Sequence, residues 1–188
     1  MKPLALLAFL PVAFGAAAQQ QPVLIPSRDV DIVYMMVQAD ARGARVVEER
    51  MRWAAGTGML RVDPPTPGMW VVVDTRAKRM ATVRDGERSV LEIDSTQAMP
   101  APAPGAAFEN SGTDTVAGTP CTEWQTRDAT GTPTLVCITA DGVLLRAIAA
   151  GRVLVEALHL AYVPQDAAVF RIPEGYRRID PPPGPRMR

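Results

Sequence analysis

The stretch from Arg45 to Ile93, RVVEERMRWAAGTGMLRVDPPTPGMWVVVDTRAKRMATVRDGERSVLEI, decides the fold. Its first ten residues read two ways. Val47, Met51 and Trp53 alternate with Val46, Glu48, Arg50 and Arg52 at period two, yet Val46, Val47, Arg50, Met51 and Ala54 would also line one side of a helix. Gly56 and Gly58 follow at once, and Met59 to Val62 is another strand-like run, so strand is the better reading. Asp63-Pro64-Pro65-Thr66-Pro67-Gly68 then forms a turn that continues neither a helix nor a central strand. Met69 to Asp74, Met80 to Arg84 and Arg88 to Ile93 read as strands, separated by Arg76-Ala77-Lys78 and by the hairpin signal Asp85-Gly86.

The same pattern extends in both directions. Val30 to Val37 is a strand with Ile32, Tyr34 and Met36 on one face. Thr122 to Thr126 and Thr134 to Ile138 flank the turn-forming Arg127-Asp128-Ala129-Thr130-Gly131-Thr132. Asp141-Gly142 leads into Val143 to Ala149, and Gly151 into a long strand from Arg152 to Val163; Phe170 to Pro173 reads as a last short strand. Gln165 to Val169 offers one helical turn at most. About ten strands with turns every six to twelve residues predict a mainly β protein: one curled antiparallel sheet, a half-barrel meander with little helix. The expected organisation is a signal peptide over 1–18, a polar lead-in over 19–28 and one β domain over 29–178. That domain contains a Pro-rich loop over 95–113, and a disordered Pro-rich tail occupies 179–188.

The leader assignment rests on Met1-Lys2, the apolar run Leu4 to Phe14, and Ala16-Ala17-Ala18 before Gln19. The run is shorter than the roughly 20 residues of a membrane span. A periplasmic location follows as the expectation. The chain has 188 residues, with 20 Lys+Arg balanced by 20 Asp+Glu, which gives no long-range pull on a nucleic acid. Cys121 and Cys137 are the only two cysteines, and in an exported chain an even count reads as one disulfide. A hairpin folded at Ala129 would set them directly opposite each other, within bridging distance.

Signatures of catalysis and of cofactor binding are sparse. The sequence has no H-E-x-x-H, C-x-x-C, G-x-S-x-G or P-loop motif. His159, the sole imidazole, sits in a strand pattern and is expected to face solvent. The pairs Asp29/Asp31 and Glu48/Glu49 are too ordinary in spacing to mark acid–base chemistry. The methionines are scattered over separate strands without His or Cys beside them, which favours core or pocket lining over copper ligation. The expectation is therefore no cofactor, no metal and no enzymatic activity.

The informative set is apolar and aromatic. Tyr34 and Met36, Met51 and Trp53, Trp70 and Val72, and Leu158, Leu160 and Tyr162 each share a face within their strand, as does Trp124 with Val136 and Ile138. If those faces coincide, they line an apolar concavity; if they pack against one another, they fill a closed core. Alternation is the same in both cases.

The motifs M-R-W, G-M-L-R-V and M-W-V-V-V-D, together with the D-G hairpin, T-x-D-G-V-L-L-R (Thr139 to Arg146) and the late F-R-I-P-E-G-Y (Phe170 to Tyr176), resemble the periplasmic lipoprotein-carrier superfamily with its LolA/LolB-like fold. That resemblance covers about Val30 to Tyr176. It implies a curled half-barrel able to hold acyl chains on its concave face. The carriers cover that face with helices, none of which is legible here, and no position matches their functional Arg. The expected function is a soluble periplasmic binding protein for an apolar or lipid-like ligand, without catalysis. Tyr34, Met36, Met51, Trp53, Trp70, Val72, Trp124, Leu158, Leu160 and Tyr162 are its expected lining. The alternative is an envelope protein-interaction or regulatory module that docks a protein on the same sheet.

Overall fold

Apolar and β-branched residues spaced by two, punctuated by Gly and Pro turns, build twelve strands in the computed structural model, which describes residues 21–40, 43–95 and 106–179. They are β1 (Val30–Asp40), β2 (Gly43–Ala54), β3 (Met59–Asp63), β4 (Met69–Asp74), β5 (Arg79–Arg84), β6 (Ser89–Asp94), β7 (Glu109–Val116), β8 (Thr119–Arg127), β9 (Pro133–Ile138), β10 (Leu144–Ala149), β11 (Arg152–Ala161) and β12 (Arg177–Ile179). All lie in one sheet of order β12-β6-β5-β4-β3-β2-β1-β11-β10-β9-β8-β7, whose two ends do not pair. The sheet is curled and unclosed. Arg146 on β10 shows the bend: it reaches Glu123 on β8 at 3.0 Å and also Asp114 on β7. In a flat sheet β10 and β7 would be about 14 Å apart, beyond the span of an arginine side chain. The same guanidinium holds the Asp114 carboxyl below its usual range.

Strand pairing selects strand over helix for residues 45–54, which pair with β1 up to Trp53 and with β3 from Arg50 onward. Four sequence expectations need correction. First, β7 occupies Glu109–Val116, partly inside the stretch read as loop to Thr113. Its sequence, ENSGTDTV, lacks apolar alternation because this edge strand is exposed except at Asp114 and at Val116, which joins the core. Second, Phe170 is not in a strand. Ala167–Phe170 form a 3-10 turn capped by Asp166, whose carboxylate accepts from the Ala168 amide at 2.8 Å. Third, the last strand is Arg177–Ile179, which takes in the last two residues expected of the domain and the first of the tail. It runs parallel to β6, the one departure from an antiparallel sheet. The leader and residues 96–105 and 180–188 lie outside the described residues.

Fourth, the cysteine hairpin turns one residue later than expected. Arg127 pairs with Pro133, which centres the turn on Thr130. Asp128 dictates this: one carboxylate oxygen accepts from the Thr130 and Thr132 amides at 2.8 and 2.9 Å, while Gly131 takes the left-handed φ of 84° that closes the loop. Moving the apex by one shifts the pairing by two, so Cys137 faces Glu123. The disulfide forms nonetheless, between diagonal neighbours whose Cα atoms strand twist brings to 5.5 Å.

Register fixes which side chains share a face. Ile32 pairs with Met51 and Met51 with Val62; Trp53 pairs with Leu60 and Leu60 with Val73. The other face carries Asp31, Arg52, Arg61 and Val72 in one row, with Trp70, Val83 and Val90 in another. The two faces build separate cores. Val30, Ile32, Tyr34, Val143, Leu145 and Ala157 pack around the disulfide. Trp70, Val72, Ala81, Val83 and Val90 pack under Phe170, with Ile172 and Tyr176 at the rim.

Candidate ligand pocket

Above the face that carries Ile32, Tyr34, Met51, Trp53 and Leu60 lies a cavity of about 310 Å³. Val30 and the Gly142–Leu144 turn close one side, and residues Leu24, Ile25 and Pro26 cross over it as a strap. The sheet holds this strap by backbone atoms. The Trp53 indole N–H donates to the Pro26 carbonyl at 2.8 Å, and the Ser27 amide donates to the Asp141 carbonyl at 2.9 Å. Asp29 anchors its far end, each carboxylate oxygen accepting one amide, from Ala55 and from Gln165, at 2.9 Å. Asp29 and Asp31 are therefore structural; Asp31 is bound by the Arg50 guanidinium, which keeps its carboxyl below the usual range.

The cavity wall is apolar, and its nearby polar groups are mostly spent on the fold. Tyr34 donates to the Leu144 carbonyl at 2.6 Å, and burial pushes its phenol far above the ordinary value. Tyr162 donates to an Asp141 oxygen at 2.8 Å while the Arg28 guanidinium lies 4.1 Å over its ring. Burial, reinforced by Asp141, raises the Tyr162 phenol too. The second oxygen of Asp141 is buried without a partner among the described residues. Glu49, opposite Tyr34 in register and 8% exposed, has its carboxyl raised by burial and accepts from the Gln38 amide at 3.3 Å. Among the described residues no nucleophile–base pair lines the cavity.

The ten expected lining residues scatter. Tyr34, Met51 and Trp53 line the cavity. Met36, Leu160 and Tyr162 pack on the same core outside it. Trp124 belongs to a third cluster with Phe108, Val136, Ile138 and Ala147. Trp70 and Val72 are on the opposite face, in a filled core where Arg61 stacks 4.1 Å above the Trp70 ring and donates to the Val169 carbonyl at 2.7 Å. Register places Val73, not Val72, on the face of Trp53. Leu158 is 46% exposed, because a bulge sets Ala157 rather than Leu158 opposite Tyr34. His159 is exposed, as expected.

Sequence reasoning missed the strap. Residues 19–28 read as a polar lead-in, although Val23-Leu24-Ile25 is an apolar run; Leu24 and Ile25 line the cavity while staying about half or more exposed. It also missed Leu60 and the Gly142–Leu144 wall. A larger cleft, about 910 Å³, lies between the β8–β9 turn and the start of β7. Half of its lining is loop, including Asp128 and Thr132, and it holds none of the expected residues.

No family model matches the chain, and no curated protein matches it. Solved structures do. An uncharacterised conserved protein from Thermus thermophilus is similar at 13% identity and a TM-score of 0.59, over 82% of this chain and 91% of that one. MucB is similar at 12% identity and a TM-score of 0.53, over 79% of this chain and 58% of its own length. PNGF-II is similar at 12% identity and a TM-score of 0.50, over 82% of this chain but only 31% of its own. At such identities the likeness concerns the fold, and through MucB it supports a LolA-like fold. Among the described residues no helix is long and apolar enough to cross a membrane.

Proposed function

We propose that this protein is a periplasmic binding protein that holds one apolar chain or small lipid-like molecule beneath the strap of residues 24–26, without catalysis. The observation that carries the reading is the cavity itself: about 310 Å³ of apolar space over Ile32, Met51, Trp53 and Leu60 that the protein's own side chains leave unfilled. Ligand pockets span about 300–1,000 Å³, so this one is at the small end and suits a single aliphatic chain, not the several acyl chains of a lipoprotein. The leader-like residues 1–18 and the buried disulfide support export to an oxidising compartment.

Native mass spectrometry of the disulfide-intact protein with added dodecanoic acid tests this. The expected result is a one-to-one adduct, weakened about tenfold or more, some 1.4 kcal/mol, by Leu60→Trp, which fills the cavity floor. Circular dichroism confirms that the variant is folded. An absent adduct, or one indifferent to Leu60→Trp, would refute the reading.

A further inference from the structure

The lining of the cavity is buried on one side and reaches solvent on the other. Val30, Ile32, Tyr34 and Val143, on the β1 side, are all buried, and the one hydroxyl among them, on Tyr34, is taken up by the Leu144 carbonyl. The lining then crosses β2 and β3 at Met51, Trp53 and Leu60 and ends at Thr75, an exposed residue just beyond β4. β1 and β4 are three strand spacings apart, about 14 Å. An amphiphile in this space sets its tail at the β1 end, where a polar head would be desolvated without a partner, and its head at Thr75.

A cation stands beside Thr75. The Thr75 amide and hydroxyl both donate to the Gly58 carbonyl, at 3.1 and 2.8 Å, which fastens the β4–β5 turn to the β2–β3 turn. Arg76 lies across the same joint, one terminal guanidinium nitrogen donating to the Gly56 carbonyl at 2.7 Å. Gly58, with φ of 73°, leaves room for both side chains: a Cβ there would be 2.8 Å from the Thr75 hydroxyl oxygen and 3.3 Å from Arg76 Nε. The two groups therefore sit side by side at the rim. Arg76 is exposed and has no carboxylate partner among the described residues. The acid of its own turn, Asp74, is turned to the backbone, one oxygen accepting from the Arg76 and Ala77 amides at 3.0 and 2.8 Å. The next arginine, Arg79, is bound by Glu92. A guanidinium has five N–H donors, and the Gly56 carbonyl occupies one of them.

We propose that Arg76 is the headgroup site of the pocket, and that the ligand is a single-chain amphiphile with an anionic head, a carboxylate or a phosphate monoester. This rests on the binding reading above and specifies the class of molecule. The planar guanidinium fork matches either head with paired hydrogen bonds, and the strap side of the cavity holds the tail.

Calorimetric titration of the disulfide-intact protein at pH 8, where a carboxylic acid is ionised, with dodecanoate, dodecanol and acetate tests it. Arg76→Gln is expected to weaken dodecanoate about fivefold and to leave dodecanol unchanged, a difference that shrinks with added salt. Arg152→Gln, at an exposed position on β11 four strands from β4, changes neither. In the parent protein the Arg76 Nε–H resonance shifts with dodecanoate and stays in place with dodecanol, which reads the contact without any substitution. Two bound ligands that respond alike to Arg76→Gln, or an unmoved Nε–H resonance, overturn the headgroup site and leave the pocket standing. Acetate bound as tightly as dodecanoate overturns it too, since the rim would then be a plain anion site. A parent protein that takes up neither dodecanoate nor dodecanol overturns the pocket reading and this inference with it.

Discussion

Replacing Gly142 with alanine detaches the strap from the sheet. Gly142 has φ of 94°, in the region that side chains strain to adopt, and a Cβ there would lie 2.6 Å from the Ile25 carbonyl oxygen and 2.9 Å from the Val23 side chain. Backbone strain costs about 1–2 kcal/mol and a forced contact with main chain a similar amount. The strap is the element free to yield, because it is tied down by single hydrogen bonds while Gly142 belongs to the Thr139–Val143 turn, where the Val143 amide is also bound by the Thr139 hydroxyl at 2.9 Å. The expected outcome is a thermal midpoint lower by roughly 5–10 °C. A red shift of tryptophan emission should accompany it as the Trp53 indole loses the Pro26 carbonyl and gains water. Calorimetry and fluorescence of Gly142→Ala read both. An unchanged midpoint with unchanged emission would show that the strap does not close over the pocket through this contact.

Removing the disulfide has the other large effect. Cys121 and Cys137 are 4% and 1% exposed and sit inside the core that forms the pocket's underside. Opening a loop of 16 residues releases chain entropy equivalent to about 3 kcal/mol in the unfolded state. For a chain of this size that is a fall in midpoint of about 6–12 °C. The paired substitution Cys121→Ala with Cys137→Ala should reproduce what a reductant does to the parent protein, and the reductant should have no further effect on the substituted one. A midpoint unchanged by either treatment would mean that the β8–β9 hairpin holds without its bridge.

Strand existence was legible because turn chemistry is local: Asp85-Gly86, Gly56 to Gly58 and Pro64 to Gly68 each mark a boundary that the fold keeps. The cysteine pairing was legible as well, although its register was not, since the turn apex depends on which amides the Asp128 carboxylate captures. The site was only partly legible. Alternation says which residues of one strand share a face, but it does not say which faces of separate strands coincide. Trp53 and Trp70 each lead an apolar alternation, yet the register through Leu60 and Val73 sends them to opposite sides. Bulges erase parity as well, which is why Leu158 left the face of Leu160. The strap escaped notice because its partners, Ala55, Asp141 and Gln165, lie far along the chain.

Vacancy beneath the strap is the feature on which the binding account stands, and a paramagnetic ligand reports on it directly. Dodecanoic acid carrying a nitroxide at its methyl end, added to protein with labelled methyl groups, is expected to broaden Ile25, Met51 and Leu60 selectively. Val83 and Val90, in the filled core of the opposite face, stay sharp. Broadening spread evenly over both faces, or centred on the exposed pair Val37 and Val46, would contradict it.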